Sequence, residues 1–220
     1  MSQINRIDGG LIDQEKVLNF TFNGQILKGC EGDTLASALL ANNKHLIGRS
    51  FKYHRPRGIV TAGSEEPNAI MEIGNGAYKD PNTRATVTQL YNGLEANSQN
   101  HRGPLSFDFM AITDFLSPLL GAGFYYKTFM WPKSFWEKFY EPAIRKSAGL
   151  GTLSTEADPD TYDKGFRHCD ILIIGSGATG LSAALTAAES GAKIILADED
   201  FLMGGRLNSE TNEIDGIAGS

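Results

Sequence analysis

One stretch narrows the possible folds of this chain more than any other: DILIIGSGATGLSAALTAAESGAKIILAD, from Asp170 to Asp198. Ile171 to Ile174 is a short, unbroken apolar run, the pattern of a strand buried on both faces of a parallel sheet. Gly175, Gly177 and Gly180 follow in the spacing G-x-G-x-x-G, and Leu181, Ala184, Leu185 and Ala188 recur at helical intervals until Gly191 stops the run. Lys193 to Ala197 reads as a second apolar strand, with Asp198 at its end. Strand, glycine loop, small-residue helix, strand and acid in this order predict the start of an α/β Rossmann-type dinucleotide-binding domain. Gly175 permits the tight turn, Gly177 lets a pyrophosphate approach the backbone, and Gly180 lets helix and strand pack closely. Ser176, Ala178 and Thr179 complete the loop and the first helical turn, whose free N–H groups and positive dipole end favour phosphate. Asp198, or Glu199 beside it, is expected to accept hydrogen bonds from an adenosine ribose. Its charge disfavours a 2′-phosphate, and so favours NAD over NADP.

The sequel FLMGGRL adds Gly204, Gly205 and Arg206. A glycine pair so soon after the second strand resembles the second phosphate-approach motif of two-domain flavoproteins, which keeps FAD open beside NAD. One βαβ unit does not complete a nucleotide fold. The expectation is therefore a domain begun at residue 169 and unfinished at 220, part of a longer polypeptide, with an open parallel edge.

Upstream, VLNFTFNGQILKGC alternates apolar and polar positions (Val17, Phe20, Phe22, then Ile26 and Leu27) around Asn23-Gly24, a strong hairpin signal. Asp33 is placed to cap a helix with Leu35, Leu39 and Leu40 on one face, and Asn42 and Asn43 are its stop residues. GIVTA, NAIMEIG and the alternating run Thr83 to Leu90 read as further strands. After a tail over 1–16, residues 17–96 thus form an α+β domain. Residues 97–168 are a connecting segment rich in aromatics, where Phe135, Trp136, Phe139, Tyr140 and Ile144 predict a helix from Ser134 to Lys146. Its aromatic stripe is read as buried core in preference to a docking surface, and Pro132 and Pro142 limit its regularity. STEADPDTYDKG is a polar surface linker.

Composition closes off several classes. Over 220 residues, 41% hydrophobic and 21% charged content is that of a globular chain with one or two domains. A formal charge of -6 argues against nucleic acid as partner. MSQINRIDGG has no apolar leader, and no run is long enough for a membrane span. Cys30 and Cys169 lie far apart in no metal-ligand spacing, so neither a disulfide framework nor a zinc site is expected, and the cytoplasm is the natural compartment.

The strings FTFNGQILKGCEGDTLASALLANN, SFKYHRPRGIVTAGSEEPNAIMEIG, KTFMWPKSFWEKFYEPAIRKSAGLG, DPDTYDKGFRHCDILIIGSGATGLSAA and DEDFLMGGRL, in this order, resemble the alpha subunit of heterotetrameric sarcosine oxidases. The resemblance implies an N-terminal β-grasp domain like that of plant-type ferredoxins, in which CxxxxCxxC would hold a 2Fe-2S cluster. Here the corresponding loop, GRSFKYHRPRGIVTAGSEEP, has no cysteine, so no iron–sulfur cluster is expected. Its Arg49, Lys52, His54, Arg55 and Arg57 either grip a phosphate or an acidic partner, or are neutralised by Glu65 and Glu66; His54 is read as structural. The resemblance further implies NAD on this subunit, FAD, FMN and zinc elsewhere in the complex, and the other subunits of the oxidase as partners. The small-molecule substrate would be sarcosine, oxidised to glycine with hydrogen peroxide and formaldehyde or methylene-tetrahydrofolate. Related amine, opine or proline dehydrogenases and cyanide-forming glycine oxidases share the layout, and a non-catalytic assembly module is the further alternative. No catalytic or metal-binding residue is assigned, and these residues alone are expected to be inactive.

Overall fold

Asn23 and Gly24 both take positive φ, 50° and 75°, and close a hairpin between β1 (Asp13–Phe22) and β2 (Gln25–Glu31). This right-handed twist needs φ > 0 at both turn positions, which is why Asn-Gly marked it in the sequence. The computed structural model describes residues 3, 5–7, 12–124, 127, 129–147, 149, 151–209, 213–214 and 217–218. β1 pairs in parallel with β7 (Leu94–Ser98), β5 (Ile70–Ile73) runs antiparallel to β7, and β6 (Asp80–Arg84) antiparallel to β5. The sheet order is β2-β1-β7-β5-β6. Helix α1 (Leu35–Ala41) lies against it, and Leu35, Ala38 and Leu39 join Phe20, Phe22, Met71 and Leu94 in one buried cluster. Two short strands, β3 (Gly48–Arg49) and β4 (Pro56–Arg57), pair beside this sheet.

Several sequence expectations shift here. Val17 is exposed, and Leu18 shares the inward face of β1 with Phe20 and Phe22. β1 also begins at Asp13, inside the expected tail. The cap of α1 is Thr34, whose extended backbone lets its hydroxyl accept from Ser37 N at 3.1 Å. Asp33 instead is buried one residue earlier, accepting from Cys30 N (2.8 Å), Ser37 Oγ (2.6 Å) and the Arg6 guanidinium (2.6 Å). The strand expected over 83–90 ends at Arg84, because the next carbonyls serve the helix: Ala36 N donates to Ala85 O and Leu35 N to Thr88 O. These two N–H groups have no partner inside α1, so the chain folds over its start rather than extending a ladder. GIVTA forms no strand either, since the Val60 and Thr61 N–H groups donate to the buried carboxylate of Glu66.

Beyond β7, the chain turns through α2 (Ile112–Phe115) and, later, a helical run from Lys133 to Ser147 that changes register. It starts as 3₁₀, passes through a π segment at Trp136–Tyr140 and ends as α3 (Glu141–Ser147). Pro142 has no N–H to give the preceding turn, and a wider turn just before it is the usual accommodation. The aromatic stripe is not core: Phe135 and Phe139 are exposed and stack on each other at 5.0 Å, while Trp136, Tyr140 and Ile144 are half-buried. The linker STEADPDTYDKG, 154–165, is exposed as expected except at the half-buried Ser154. Then β8 (Ile171–Ile174), α4 (Ala178–Glu189) and β9 (Ile194–Ala197) form the parallel unit, in register from Ile171↔Ile194 to Ile174↔Ala197. Its strands are not buried as expected. Leu172 is 57% and Ile174 81% exposed, because α4 packs on one side only and none of the described residues cover the other. A last short pair, β10 (Glu213–Ile214) and β11 (Ile217–Ala218), is antiparallel.

Candidate functional site

The glycine loop grows directly out of the β8–β9 ladder. Gly175 N donates to Ala197 O at 2.8 Å, and Gly175 then takes φ +100°, a left-handed backbone that admits glycine far more readily than any side chain. The chain doubles back so tightly that a Cβ on Gly180 would lie 1.8 Å from the Gly175 carbonyl oxygen. Gly177 caps α4, its carbonyl accepting from Leu181 N at 2.9 Å, and Ala178 and Thr179 form the first turn behind it. On the outer side, Cβ atoms on Gly175 and Gly177 would meet nothing within 4 Å. Gly205 seats against this loop, where its Cβ would come 3.4 Å from Gly177 Cα, and Gly204 N donates to Ser176 O at 3.1 Å. The two glycine clusters therefore make one backbone-lined surface.

Asp198 faces that surface. Its carboxylate accepts from Ser176 N and, at 2.9 Å, from Asp200 N. Hydrogen bonds from Ser176 and Asp200 hold its pKa down at about 2. A carboxylate is thus the anion on a glycine-loop N–H, and Asp198 reaches the loop rather than standing clear of it. Gly175, Gly177, Asp198, Glu199, Gly205 and Arg206 line a cavity of about 690 Å³, within the size range of small-molecule sites. Ser176 is buried beneath it, and Ala178, Thr179 and Gly180 shape the loop without lining the cavity. The opposite wall comes from the N-terminal sheet domain: Thr34, Ser37, Gly63, Ser64, Glu65 and Thr86. No local pattern marks these residues, since only the fold brings them to the loop. Open space over two glycines, a loop N–H already holding an anion and the start of a helix fit the phosphate and ribose portion of a dinucleotide.

The basic loop has other occupations than those expected. Arg49 is buried, and its guanidinium donates to the carbonyls of Leu105 (2.8 Å), Ser106 (3.0 Å) and His54 (3.2 Å). Arg55 pairs with Asp114 at 2.7 Å, and the Lys52 ammonium sits over the Tyr53 and Phe124 rings. Among the described residues Glu66 has no cation partner: its two oxygens accept from Val60, Thr61, Asn68 and Ala69 N–H groups and from Thr61 Oγ1. Burial opposes its charge, but these donors outweigh burial and hold its pKa below the ordinary carboxylate value. His54 Nδ1 lies 2.5 Å from Asp108 Oδ2, both residues being buried.

Comparison with known proteins places these parts. Residues 15–101 match the model of a 2Fe-2S iron-sulfur cluster binding domain, and residues 170–216 that of an FAD dependent oxidoreductase. The sarcosine oxidase subunit alpha of Rhizobium meliloti (strain 1021) is 62% identical over 95% of this chain and 21% of its own length. This chain is a homologue of sarcosine oxidase alpha subunits. The corresponding subunit of Corynebacterium sp. (strain U-96) is 34% identical over 95% of this chain and 17% of its own length. The chain therefore spans about a fifth of the length of these alpha subunits. Among solved structures, L-proline dehydrogenase from P. horikoshii has a TM-score of 0.48 and 17% identity over 94% of this chain and 29% of that one.

Proposed function

We propose that this chain is the nucleotide-binding part of the alpha subunit of a sarcosine-oxidising complex, holding NAD or, on the same scaffold, FAD. The observation that carries the reading is the loop from Gly175 to Gly180, wrapped too tightly for any side chain at Gly180 and open outward at Gly175 and Gly177. The bound group supplies hydride acceptance. Gly175 and Gly177 leave the backbone open to the pyrophosphate, and the first N–H groups of α4, at Ala178 and Thr179, face it. Asp198 yields the Ser176 N–H to a phosphate and turns to the ribose hydroxyls, with Glu199 beside it; Gly205 and Arg206 border the same cavity. The match to FAD dependent oxidoreductases favours a flavin, and the acid at the end of β9, Asp198, suits the adenosine ribose of NAD as well. Exchanging Gly177 for Val is expected to strip the intact protein of its dinucleotide. Unchanged cofactor content in that variant would sink the assignment.

In this reading residues 17–96 are a β-grasp domain without a cluster, after a tail over 1–16. Residues 97–168 connect it to the Rossmann-type unit at 169–220. Cys30 is the only cysteine within the matched residues 15–101, and a 2Fe-2S cluster needs four ligands, mostly thiolates. Glu66 holds the loop that a cluster would otherwise organise. The domain then serves assembly, as one wall of the nucleotide cavity. Iron–sulfur absorption bands in the purified protein would overturn this.

The complex as a whole is proposed to oxidise sarcosine to glycine and reduce oxygen to hydrogen peroxide, the methyl carbon leaving as formaldehyde or methylene-tetrahydrofolate. FAD, FMN and zinc belong to its other parts, and none of the residues here is catalytic. The exposed Phe135 and Phe139, with Trp131 at 84% exposure, support contact with other parts of the assembly. No described helix is long and apolar enough to cross a membrane, which agrees with a cytoplasmic complex. Assaying the assembled complex with sarcosine, proline and glycine separates this reading from the related dehydrogenases and the cyanide-forming oxidases.

A further inference from the structure

A second cavity, of about 780 Å³, lies away from the glycine loop and shares no residue with it. It opens between the end of β7, the turn at 100–102 and the C-terminal end of the helical run, in α3. Its charged residues sort into two groups. Glu141 is paired with Arg145, and Glu72 with Lys79 at 2.7 Å. Arg102 and Lys146 also line it, both exposed, and neither side chain has a carboxylate partner among the described residues. The two carboxylates being already matched, Arg102 and Lys146 are left without a carboxylate in the cavity, whose three cations outnumber its two carboxylates by one.

Two buried polar atoms among its lining residues lack hydrogen-bond partners: His54 Nε2 and Asn100 Oδ1. His54 is 3% exposed, and its Nδ1 is committed to the Asp108 carboxylate at 2.5 Å, which fixes Nδ1 as the donor and leaves Nε2 over. Asp108 is held in place by Arg102 N (3.0 Å) and Met110 N (2.9 Å), so the imidazole is clamped from behind. A buried polar atom without a partner is costly, and native proteins rarely leave two in one place without a use. Ser98, Gln99, Ser147 and Thr152 add neutral hydrogen-bonding groups to the lining.

We propose that this cavity binds a small oxyanion-bearing molecule, its phosphate or carboxylate held by Arg102 and Lys146 and a hydroxyl or amine donor on its body accepted by His54 Nε2 and Asn100 Oδ1. Phosphate and carboxylate ligands share this chemistry. Inorganic phosphate and succinate, titrated separately by calorimetry into the intact protein, tell them apart. At least one is expected to bind saturably, and Arg102→Ala and Lys146→Ala each to weaken it about tenfold or more, as loss of a charged hydrogen bond does. Both positions are exposed, so the variants should fold normally. Arg84→Ala, an exposed cation outside the cavity, and Gly177→Val, which blocks the glycine loop, are expected to leave the affinity unchanged. The proposal falls if neither probe saturates, if the Arg102 and Lys146 variants bind like wild type, if Arg84→Ala weakens binding equally, or if Gly177→Val abolishes it.

Discussion

Among the described residues, every buried hydrophobic side chain lies between Phe20 and Ala96, whereas from 170 to 208 only Ser176 and Gly204 are buried. The two regions nevertheless have equally regular backbones. In the sheet domain, α1 is only seven residues long and stands because Leu35 and Leu39 are wholly enclosed. In the nucleotide unit, α4 runs for twelve residues on good helix formers while Leu185 remains 71% exposed. The first region is organised by burial, the second by local propensity and a ladder of backbone hydrogen bonds. The glycine-lined cavity opens on the second, where Gly175 and Gly177 have open space above them.

The largest expected effect tests this contrast in one measurement. Phe20→Ala removes a fully buried ring and should cost about 3–5 kcal/mol, while Leu185→Ala should stay within about 0.5 kcal/mol. Urea unfolding of both variants of the intact protein reads the difference. Comparable losses would show that the nucleotide unit has a core of its own.

Next comes the Glu66 carboxylate, which takes five donors inside the sheet domain. Glu66→Gln puts an amide N–H against backbone N–H groups and should cost about 3 kcal/mol. Because its pKa is lowered in the folded protein, the stabilisation is complete above the unfolded value of about 4.3 and fades as pH falls through the lower folded value. The wild type should therefore lose stability in acid more steeply than the variant. Parallel losses in the two proteins would remove Glu66 from the account.

These two tests also mark where sequence is readable. Asn23-Gly24, the G-x-G-x-x-G loop and the βαβ order are local signals, each forced by one backbone requirement, and each stands where the pattern put it. Thr34 for Asp33 as cap, and Arg84 as the end of β6, turn on which carbonyl or hydroxyl meets the first N–H groups of α1. The end of β6 is settled by contacts between segments about fifty residues apart in the chain, from Leu35 and Ala36 to Thr88 and Ala85. Glu66, His54 and the wall from Gly63 to Glu65 were illegible as contributors for the same reason: a carboxylate that binds backbone N–H groups leaves no spacing rule. The aromatic stripe misled because periodicity reports one apolar face without saying what covers it.

A smaller effect on stability, but a larger one on binding, separates two glycines of the loop. Gly180→Ala drives a Cβ into the Gly175 carbonyl, so it should distort the loop and lower both the unfolding midpoint and dinucleotide content. Gly177→Ala has open space and an ordinary φ of −66°, so the midpoint should hold while affinity falls about tenfold or more. Equal behaviour of the two variants, read by calorimetry and extracted cofactor, would contradict the division between a packing glycine and an approach glycine.

The smallest expected effect concerns Asp198, whose half-buried carboxylate contributes little to stability but reports on the loop. Held at about 2 by its Ser176 and Asp200 donors, it stays ionised well below the ordinary value of about 3.9. Since the folded value is the lower one, whatever it stabilises is present above the unfolded pKa and is lost as pH falls toward about 2. The Ser176 amide resonance should then titrate with that midpoint and stop doing so in Asp198→Asn. A saturating dinucleotide should abolish the titration as well, because the Ser176 N–H passes from carboxylate to phosphate. A midpoint near 3.9 without ligand would mean that the carboxylate stands free of the loop, and the glycine surface would then have no internal anion to displace.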